Sequence, residues 1–402
     1  MSSDFLLADD LSGALEAGAA FRARGRRVTL QLGPDPDAGG AATLQLYSTE
    51  TRNLSGPAAA ALVRRVLRER RAAGARLVFK KIDSTLRGPV AAELAAVRDE
   101  LAPPLLVLCP ATPAAGRTVR DGLLLVGGTP VAQTEFARDP GSPVAESRVA
   151  ACAAAAGFAS VTSLSLARLR GESGLAADER RGLLASDAET DEDLARLVAL
   201  VQRQEPAAVF VGAGGLAHAV ARAQPGAAPT GPAVRLPSTG VLIVSASRHE
   251  RSRRQLEWLR DRHGVPLIEF TLADGTERAT AGRLAVALAA RGCAALTVAG
   301  EATTSDPAAP VRGVVAVAQL LGEFSPRPEV VAVTGGETAR ALCAAFDLAQ
   351  LELLHEIEPG VVVTATSSGS SAAPRYIVIK PGGFGSLEVW TNLVRQVQSK
   401  AK

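Results

Sequence analysis

The feature that most narrows the fold is a repeating order, from one end of the chain to the other, of short apolar runs followed by longer alanine- and arginine-rich stretches. FLLA (5–8) is strand-like, 12–24 has helical composition and stops at Gly25, and RVTLQL (27–32) is the next apolar run. TLQLY (43–47), RLVFKK (76–81) and LLVLC (105–109) continue the series, each followed by a loop rich in Pro, Gly or hydroxyl residues. Such alternation predicts parallel α/β layers.

At 402 residues the chain exceeds the size at which one hydrophobic core stops growing, so two domains are expected. The boundary signal is AQPGAAPTGPAVRLPSTG (223–240), where Pro and Gly accumulate without apolar period, and a new strand, VLIVSA, follows directly. Beyond it the alternation resumes, with helices expected over 251–262, over 280–291 and from Glu337. We therefore expect domains at 1–230 and 238–402, each a mostly parallel sheet flanked by helices, with the active site in the interdomain cleft.

Composition removes several classes of function. A formal charge of +3 and 3% aromatic residues give neither the basic field nor the stacking platforms of a nucleic-acid binder. The start, MSSDFLLADD, meets carboxylates after a very short apolar run, which fits neither a signal peptide nor a membrane span. Cys109, Cys152, Cys293 and Cys343 form no CxxC pair and the four histidines show no metal-ligand spacing, so a cytoplasmic protein without a recognisable metal motif is expected. Neither a GxSxG elbow nor a Walker A pattern occurs.

Of 44 basic residues only five are lysines, and two of those, Lys400 and Lys402, lie in the terminal tail. Lys80, Lys81 and Lys380 instead follow apolar runs and precede Ser, Thr or Gly clusters, which suggests positions that need a compact ammonium. In open parallel sheets ligands gather at the carboxyl ends of strands. Three such ends carry polar clusters: Asp9 and Asp10; Thr49, Glu50 and Arg52; and Lys80, Lys81, Asp83, Ser84 and Thr85. Converging on one crevice, they would suit a ligand with an anionic group and hydroxyls, as a small sugar acid has. The simpler reading makes Asp9 or Asp10 a helix cap and leaves the lysines solvated. On a strand Lys80 and Lys81 point to opposite faces, so at most one reaches the ligand directly.

In the second half, VVAVTGGETARAL places Thr334, Gly335, Gly336, Glu337 and Thr338 between a strand and a helix, and VIKPGGFGS adds Lys380, Gly382, Gly383 and Gly385. Glycine turns of this kind let backbone N–H groups approach phosphate oxygens. VFVGAGGLAHAVA has a GxGxxA spacing at Gly212, Gly214 and Ala217, but the next acid is Glu250, too distant to hold a ribose, so tight helix packing or a cleft wall is preferred to a dinucleotide site.

Taken in order, ADDLSGALEAG, TETRN, KKIDSTLRG, PATPAAGRT, TEFARDP, VTGGETARA, EIEPG and IKPGGFG resemble the four-carbon acid sugar kinase family, whose members include threonate, erythronate and oxo-tetronate kinases. The resemblance runs almost the full length. It implies an amino-terminal sugar-acid domain, a carboxyl-terminal nucleotide domain, ATP with Mg²⁺, and phosphorylation of the terminal C4 hydroxyl. The matching positions are Asp9, Asp10, Arg52, Lys80, Lys81, Asp83, Ser84, Thr85 and Arg87 for the sugar acid, and Ser247, Gly335, Gly336, Glu337, Thr338, Gly382, Gly383 and Gly385 for the nucleotide, with Lys380 beside them. Departures from the family pattern are Ala246, Arg248 and His249 around Ser247, Pro381 before the second glycine loop, and Ser386 after it. The expected chemistry has Asp10 or Asp9 as base with Lys81 also among the catalytic residues, Arg52 and the lysines on the acid, and the glycine loops on the phosphates. Two other readings stay open: a sugar-acid sensor without catalysis, and a nicotinamide-dependent oxidoreductase using 212–217. A homo-oligomer is also compatible with the sequence.

Overall fold

The computed structural model describes residues 4–33, 43–171, 174–226, 236, 240–247, 249–272, 275–299, 306, 308–325, 327–367 and 373–398. Most of the linker read at 223–240, together with Arg248, lies outside the described residues. The chain divides into two compact units, one comprising residues 1–27 and 38–230 and the other 28–37 and 231–402.

In the first unit the described elements begin with β1 (Asp4–Ala8) and α1 (Leu11–Arg22), and the chain then passes through β2 (Arg27–Gln31), which from Val28 onward belongs to the second unit. The first unit continues with β3 (Thr43–Ser48), α2 (Gly56–Ala72), β4 (Arg76–Lys81), α3 (Val90–Leu101) and β5 (Leu105–Cys109). A small antiparallel sheet of β6 (Arg117–Arg120), β7 (Leu123–Val126) and β8 (Thr129–Pro130) precedes α4 (Val149–Ala155), β9 (Val161–Leu164), α5 (Leu166–Arg170), β10 (Gly182–Ser186), α6 (Asp191–Gln204), β11 (Val209–Gly212) and α7 (Gly214–Ala223). The main sheet runs β3-β1-β4-β11-β5-β10-β9, and every pair in it is parallel.

This order follows from the sequence. A strand buried on both faces must be apolar at every position, and Leu105–Cys109 is buried throughout. The chain crosses from β1 to β3 on one side and then to β4 on the other, so the strand order reverses at β1. Such a reversal opens a crevice beyond the carboxyl ends of these strands.

The second unit contains β12 (Val241–Ser245), α8 (Glu250–His263), β13 (Leu267–Phe270), α9 (Glu277–Arg291), β14 (Cys293–Val298), α10 (Ala309–Leu321), β15 (Val330–Thr334), α11 (Gly336–Ala345), β16 (Gln350–Glu358), β17 (Val361–Thr366), β18 (Tyr376–Lys380) and α12 (Val389–Gln398). Strands β13-β14-β12-β15-β18 are parallel, and the order reverses again at β12. Antiparallel β17, β16 and β2 complete this sheet. The β16–β17 hairpin turns at Gly360, whose φ of 80° suits glycine. The run 27–32, read from sequence as the next strand of the first series, thus pairs antiparallel with β16, because apolar pattern marks a strand without naming its partner. Trp390 of α12 is fully buried in the core that covers one face of this sheet, among Ile243, Leu256, Val330, Val378 and Leu393.

Candidate functional site

In the first unit, β1 ends in Asp9 and Asp10. Asp10 caps α1, its carboxylate accepting from the Gly13 N–H at 2.8 Å. The capping reading is therefore correct for Asp10, but it is not the whole role. From the loop after β3, Arg52 places one terminal nitrogen 2.9 Å from Asp9, 3.0 Å from Asp10 and 3.6 Å from Asp83, while its Nε donates to Asp9 at 3.0 Å. Three strand ends are thereby drawn onto one guanidinium. The loop itself is held by Thr49 and Thr51, whose N–H groups donate to the carbonyls of Ala8 and Asp9. Two residues near the centre adopt left-handed backbone at some steric cost, Glu50 at φ 50° and Leu86 at φ 61°. Gly88, at φ 89°, lets the chain pass against the Arg52 backbone, where a Cβ would lie 3.0 Å from the Arg52 carbonyl oxygen.

The two lysines diverge as strand alternation requires. Lys80 is fully buried and pairs at 2.5 Å with Glu93 of α3, which also accepts from the Thr51 hydroxyl. Lys81 turns to α1, its ammonium 3.1 Å from Glu16 and donating to the Ile82 carbonyl. It lies over the same turn as the Asp10 carboxylate: a Cβ on Gly13 would sit 2.5 Å from Asp10 Oδ1 and 3.1 Å from Lys81 Nζ. Asp83 accepts from the Thr85 N–H and hydroxyl and from a two-pronged Arg87, which reaches on to Asp139 at 3.0 Å. Ser84 is half-buried in this turn. The segment holding Asp139 also anchors to the site through Ser142, whose hydroxyl donates to the Arg52 carbonyl at 2.8 Å.

The electrostatics divide the carboxylates. Burial pushes the Asp10 carboxyl up to about 6, against the pull of Arg52 and with a contribution from Asp9. Asp83 is held well below the usual carboxylate range: burial opposes ionisation, but Arg52 and the Arg87 hydrogen bonds outweigh it. Burial would lower Lys81, yet Glu16, Asp9 and Asp10 raise it. Asp9 keeps one buried carboxylate oxygen, Oδ1, without a hydrogen-bond partner. A buried acceptor of this kind is costly unless a ligand supplies the missing donor. Arg52 has its Nε and one terminal nitrogen committed to the carboxylates, and Lys81 is a second cation beside Asp10.

The second unit presents its loops after β12, β15 and β18. Gly335, at φ 95°, precedes α11, and no side chain caps that helix. Gly336, exposed Glu337 and buried Thr338 form its first turn. The Thr334 hydroxyl just before it is buried and unpartnered. After β12, the Ser247 hydroxyl accepts from the His249 N–H, and His249 caps α8 through Nδ1, so the departure from the family pattern at 249 still serves as a cap. Lys380 is buried and donates to the carbonyls of Pro381, Gly382 and Phe384. Burial pushes its ammonium down to about 7, with Arg251 adding to the effect and Glu358 opposing it. Ser386, a further departure, is bound by Glu358 through its N–H and hydroxyl.

Within 212–217, Gly212 and Gly215 pack against backbone and Gly214 against the Glu16 side chain. A Cβ on Gly215 would lie 2.6 Å from the Ala111 carbonyl, and one on Gly214 would overlap the Glu16 carboxylate. Sequence reasoning missed Glu16, Glu93 and Gln255, whose partners are distant in the chain. Glu16 and Asp139 at least lie within recognised motifs, ADDLSGALEAG and TEFARDP. Among the described residues no group of three or more His, Cys, Asp or Glu could hold a metal ion, and no helix is long and apolar enough to cross a membrane.

Comparison with known proteins now bears on these two sites. Residues 5–220 match the model of a sugar-binding N-terminal domain and residues 242–389 that of a nucleotide-binding C-terminal domain. A D-threonate kinase of Bordetella bronchiseptica RB50 is 35% identical over 98% of this chain and 96% of its own length, and one from Cupriavidus necator H16 is 34% identical over 98% of each. A crystal structure described as a tRNA synthase from Salmonella typhimurium LT2 superposes with a TM-score of 0.81 over 98% of this chain and all of that one; at 20% identity the likeness concerns the fold. The first site thus falls in a sugar-binding domain and the second in a nucleotide-binding domain, the pairing of a sugar kinase. The chain belongs to the four-carbon acid sugar kinase family.

Proposed function

We propose that the protein transfers the γ-phosphoryl group of ATP to the C4 hydroxyl of a four-carbon sugar acid, with D-threonate as the first candidate because the relatives described above carry that name. The observation that carries the reading is the convergence of Asp9, Asp10 and Asp83 on Arg52, with Lys81 over the same turn as Asp10, at the switch point of a sugar-binding domain.

The roles follow from the chemistry of each group. Asp10, with a carboxyl pushed up to about 6, is close enough to neutrality to accept the proton of the attacking hydroxyl while remaining ionised at pH 7. The unpartnered Asp9 Oδ1 accepts a second substrate hydroxyl. Lys81 faces the acid or the incoming phosphoryl group as a point charge. Arg52 keeps the carboxylates together, and Arg87 with Asp83, Ser84 and Thr85 shapes the floor. Lys80 supports the site from the opposite face of β4.

ATP fits the second site on three grounds: an uncapped N-terminus on the ten-residue α11, an unpartnered buried Thr334 hydroxyl, and a glycine loop at 382–385. Mg²⁺ enters with the nucleotide as part of the substrate, held chiefly by phosphate oxygens, as is usual for this ion. Transfer is then mainly positioning and charge stabilisation, and it requires sugar acid and nucleotide to share one active site.

An ATP-consumption screen over D- and L-threonate, D- and L-erythronate and their oxo forms tests the reading. Tetronate-dependent ADP release is expected. Binding of a tetronate without turnover would favour a sensor instead.

A further inference from the structure

The loop after β18 is unusual in how its oxygens are held. Lys380 Nζ donates to the carbonyls of Pro381 (3.2 Å), Gly382 and Phe384 (3.3 Å). From α8, Ser252 donates to the Gly382 carbonyl at 2.7 Å and Arg251 to that of Gly385 at 2.9 and 3.1 Å. Gln255 goes furthest. Its fully buried Nε2 spans three successive carbonyls, Phe384 at 3.0 Å, Gly385 at 3.2 Å and Ser386 at 2.8 Å. The Gln255 Oε1 has no partner of its own, so the amide is oriented by what it donates.

With the oxygens drawn inward, the N–H groups left to the other side of the loop are those of Gly382, Gly383 and Gly385, since Pro381 has none and those of Phe384 and Ser386 donate to the Pro381 carbonyl and the Glu358 carboxylate. A Cβ added at Gly382 would meet nothing within 4 Å, so the outer side of the loop there is open.

We propose that Gln255 and Lys380 act as positioning residues for the nucleotide, clasping the carbonyls of Pro381, Gly382, Phe384, Gly385 and Ser386 so that the loop offers the N–H groups of its glycines to phosphate oxygens without either side chain touching the ligand. The proposal rests on ATP binding at this loop, and it gives Lys380 a part different from that of a direct phosphate ligand. It also brings in Gln255, Ser252 and Arg251, which no sequence motif marked. A lysine reaching phosphate directly would be extended to the surface; this one is buried and faces three carbonyls.

The test measures KM for ATP, kcat, and the thermal shift produced by D-threonate alone, in the full-length protein and in Gln255→Leu, Lys380→Met, Ser252→Ala and Gly382→Val. Loss of the clasp is expected to raise KM for ATP about 10- to 100-fold in Gln255→Leu and Lys380→Met, as for outer residues that orient ligand-binding groups, and about threefold in Ser252→Ala. The threonate-induced shift is expected to be unchanged, and kcat at saturating ATP to fall less than KM rises. Gly382→Val places bulk on the open side and separates the two levels of the argument. If it alone raises KM, the clasp is wrong and the nucleotide site stands. If it leaves KM for ATP unchanged, the nucleotide reading of this loop fails. Parallel loss of ATP and threonate binding in Gln255→Leu would signal general unfolding, and in that case Ser252→Ala, which removes a single donor, decides: a KM for ATP within the error of wild type refutes the clasp.

Discussion

Lys80→Met separates the two adjacent lysines most sharply. Lys80 is wholly buried, 2.5 Å from Glu93, itself only 2% exposed, so removing the ammonium leaves a carboxylate in a dry interior with the Thr51 hydroxyl as its hydrogen-bond donor. Breaking a buried pair from one side costs about 3–5 kcal/mol, chiefly through the abandoned charge. In a domain of about 150–250 residues each kcal/mol moves Tm by roughly 2–4 °C, which gives a fall of roughly 6–20 °C in thermal unfolding followed by circular dichroism. The double variant Lys80→Met, Glu93→Leu is expected to recover most of that loss, since an apolar replacement of both partners is often near neutral. Lys81→Met is expected to do the reverse: Tm within about 3 °C of wild type, because Glu16 is partly exposed and can be solvated, but much weaker turnover. If Lys80→Met unfolds at the wild-type temperature while abolishing activity, Lys80 is a substrate ligand and the division of labour argued from strand alternation is wrong.

Three further outcomes follow from the site. Asp10→Asn is expected to lower kcat by about 10²-fold or more if Asp10 is the base, and to remove an acidic limb near pH 6 from the rate profile; Asp9→Asn should instead act mainly on the KM of the sugar acid and keep that limb. The same raised carboxyl has a stability signature of known sign: between the ordinary value of 3.8 and about 6 the folded chain binds this proton more tightly than the unfolded chain, so Asp10's contribution to stability rises as pH falls through that window while activity declines. Urea titrations of wild type and Asp10→Asn at pH 4.5 and 7 check it, and an identical pH response in both would contradict it. Gly214→Ala is expected to displace the Glu16 carboxylate and weaken turnover through Lys81, and NAD⁺ is expected to give no thermal shift in the wild type, because the glycines of 212–217 are filled by close packing within the protein, Gly212 and Gly215 on backbone and Gly214 on Glu16.

Much of the architecture was legible because parallel strands buried on both faces leave near-continuous apolar runs, as at 105–109, 241–245 and 330–334. The site was legible for a related reason. Asp9, Asp10, Arg52, Lys81 and Asp83 interrupt that pattern at the ends of strands, where polar groups are expensive unless used. What the sequence could not display was pairing across long separations. Nothing local to Lys80 announces Glu93, nothing in RVTLQL points to β16, and Gln255 sits in an ordinary polar helix more than 120 residues from the loop it holds. The same limit applies to Arg52, which reads as a free cation until the carboxylates converge on it.

The claim on which the account depends is a phosphoryl transfer from ATP to the far end of a short sugar acid. Incubating the enzyme with Mg·ATP and uniformly ¹³C-labelled D-threonate, and following the products by ³¹P and ¹³C NMR, reads both the transfer and its position. One phosphomonoester is expected for each ADP formed, its phosphorus coupled to C4 of the threonate. A threonate that binds but is never phosphorylated, or phosphate found on another carbon, would contradict it.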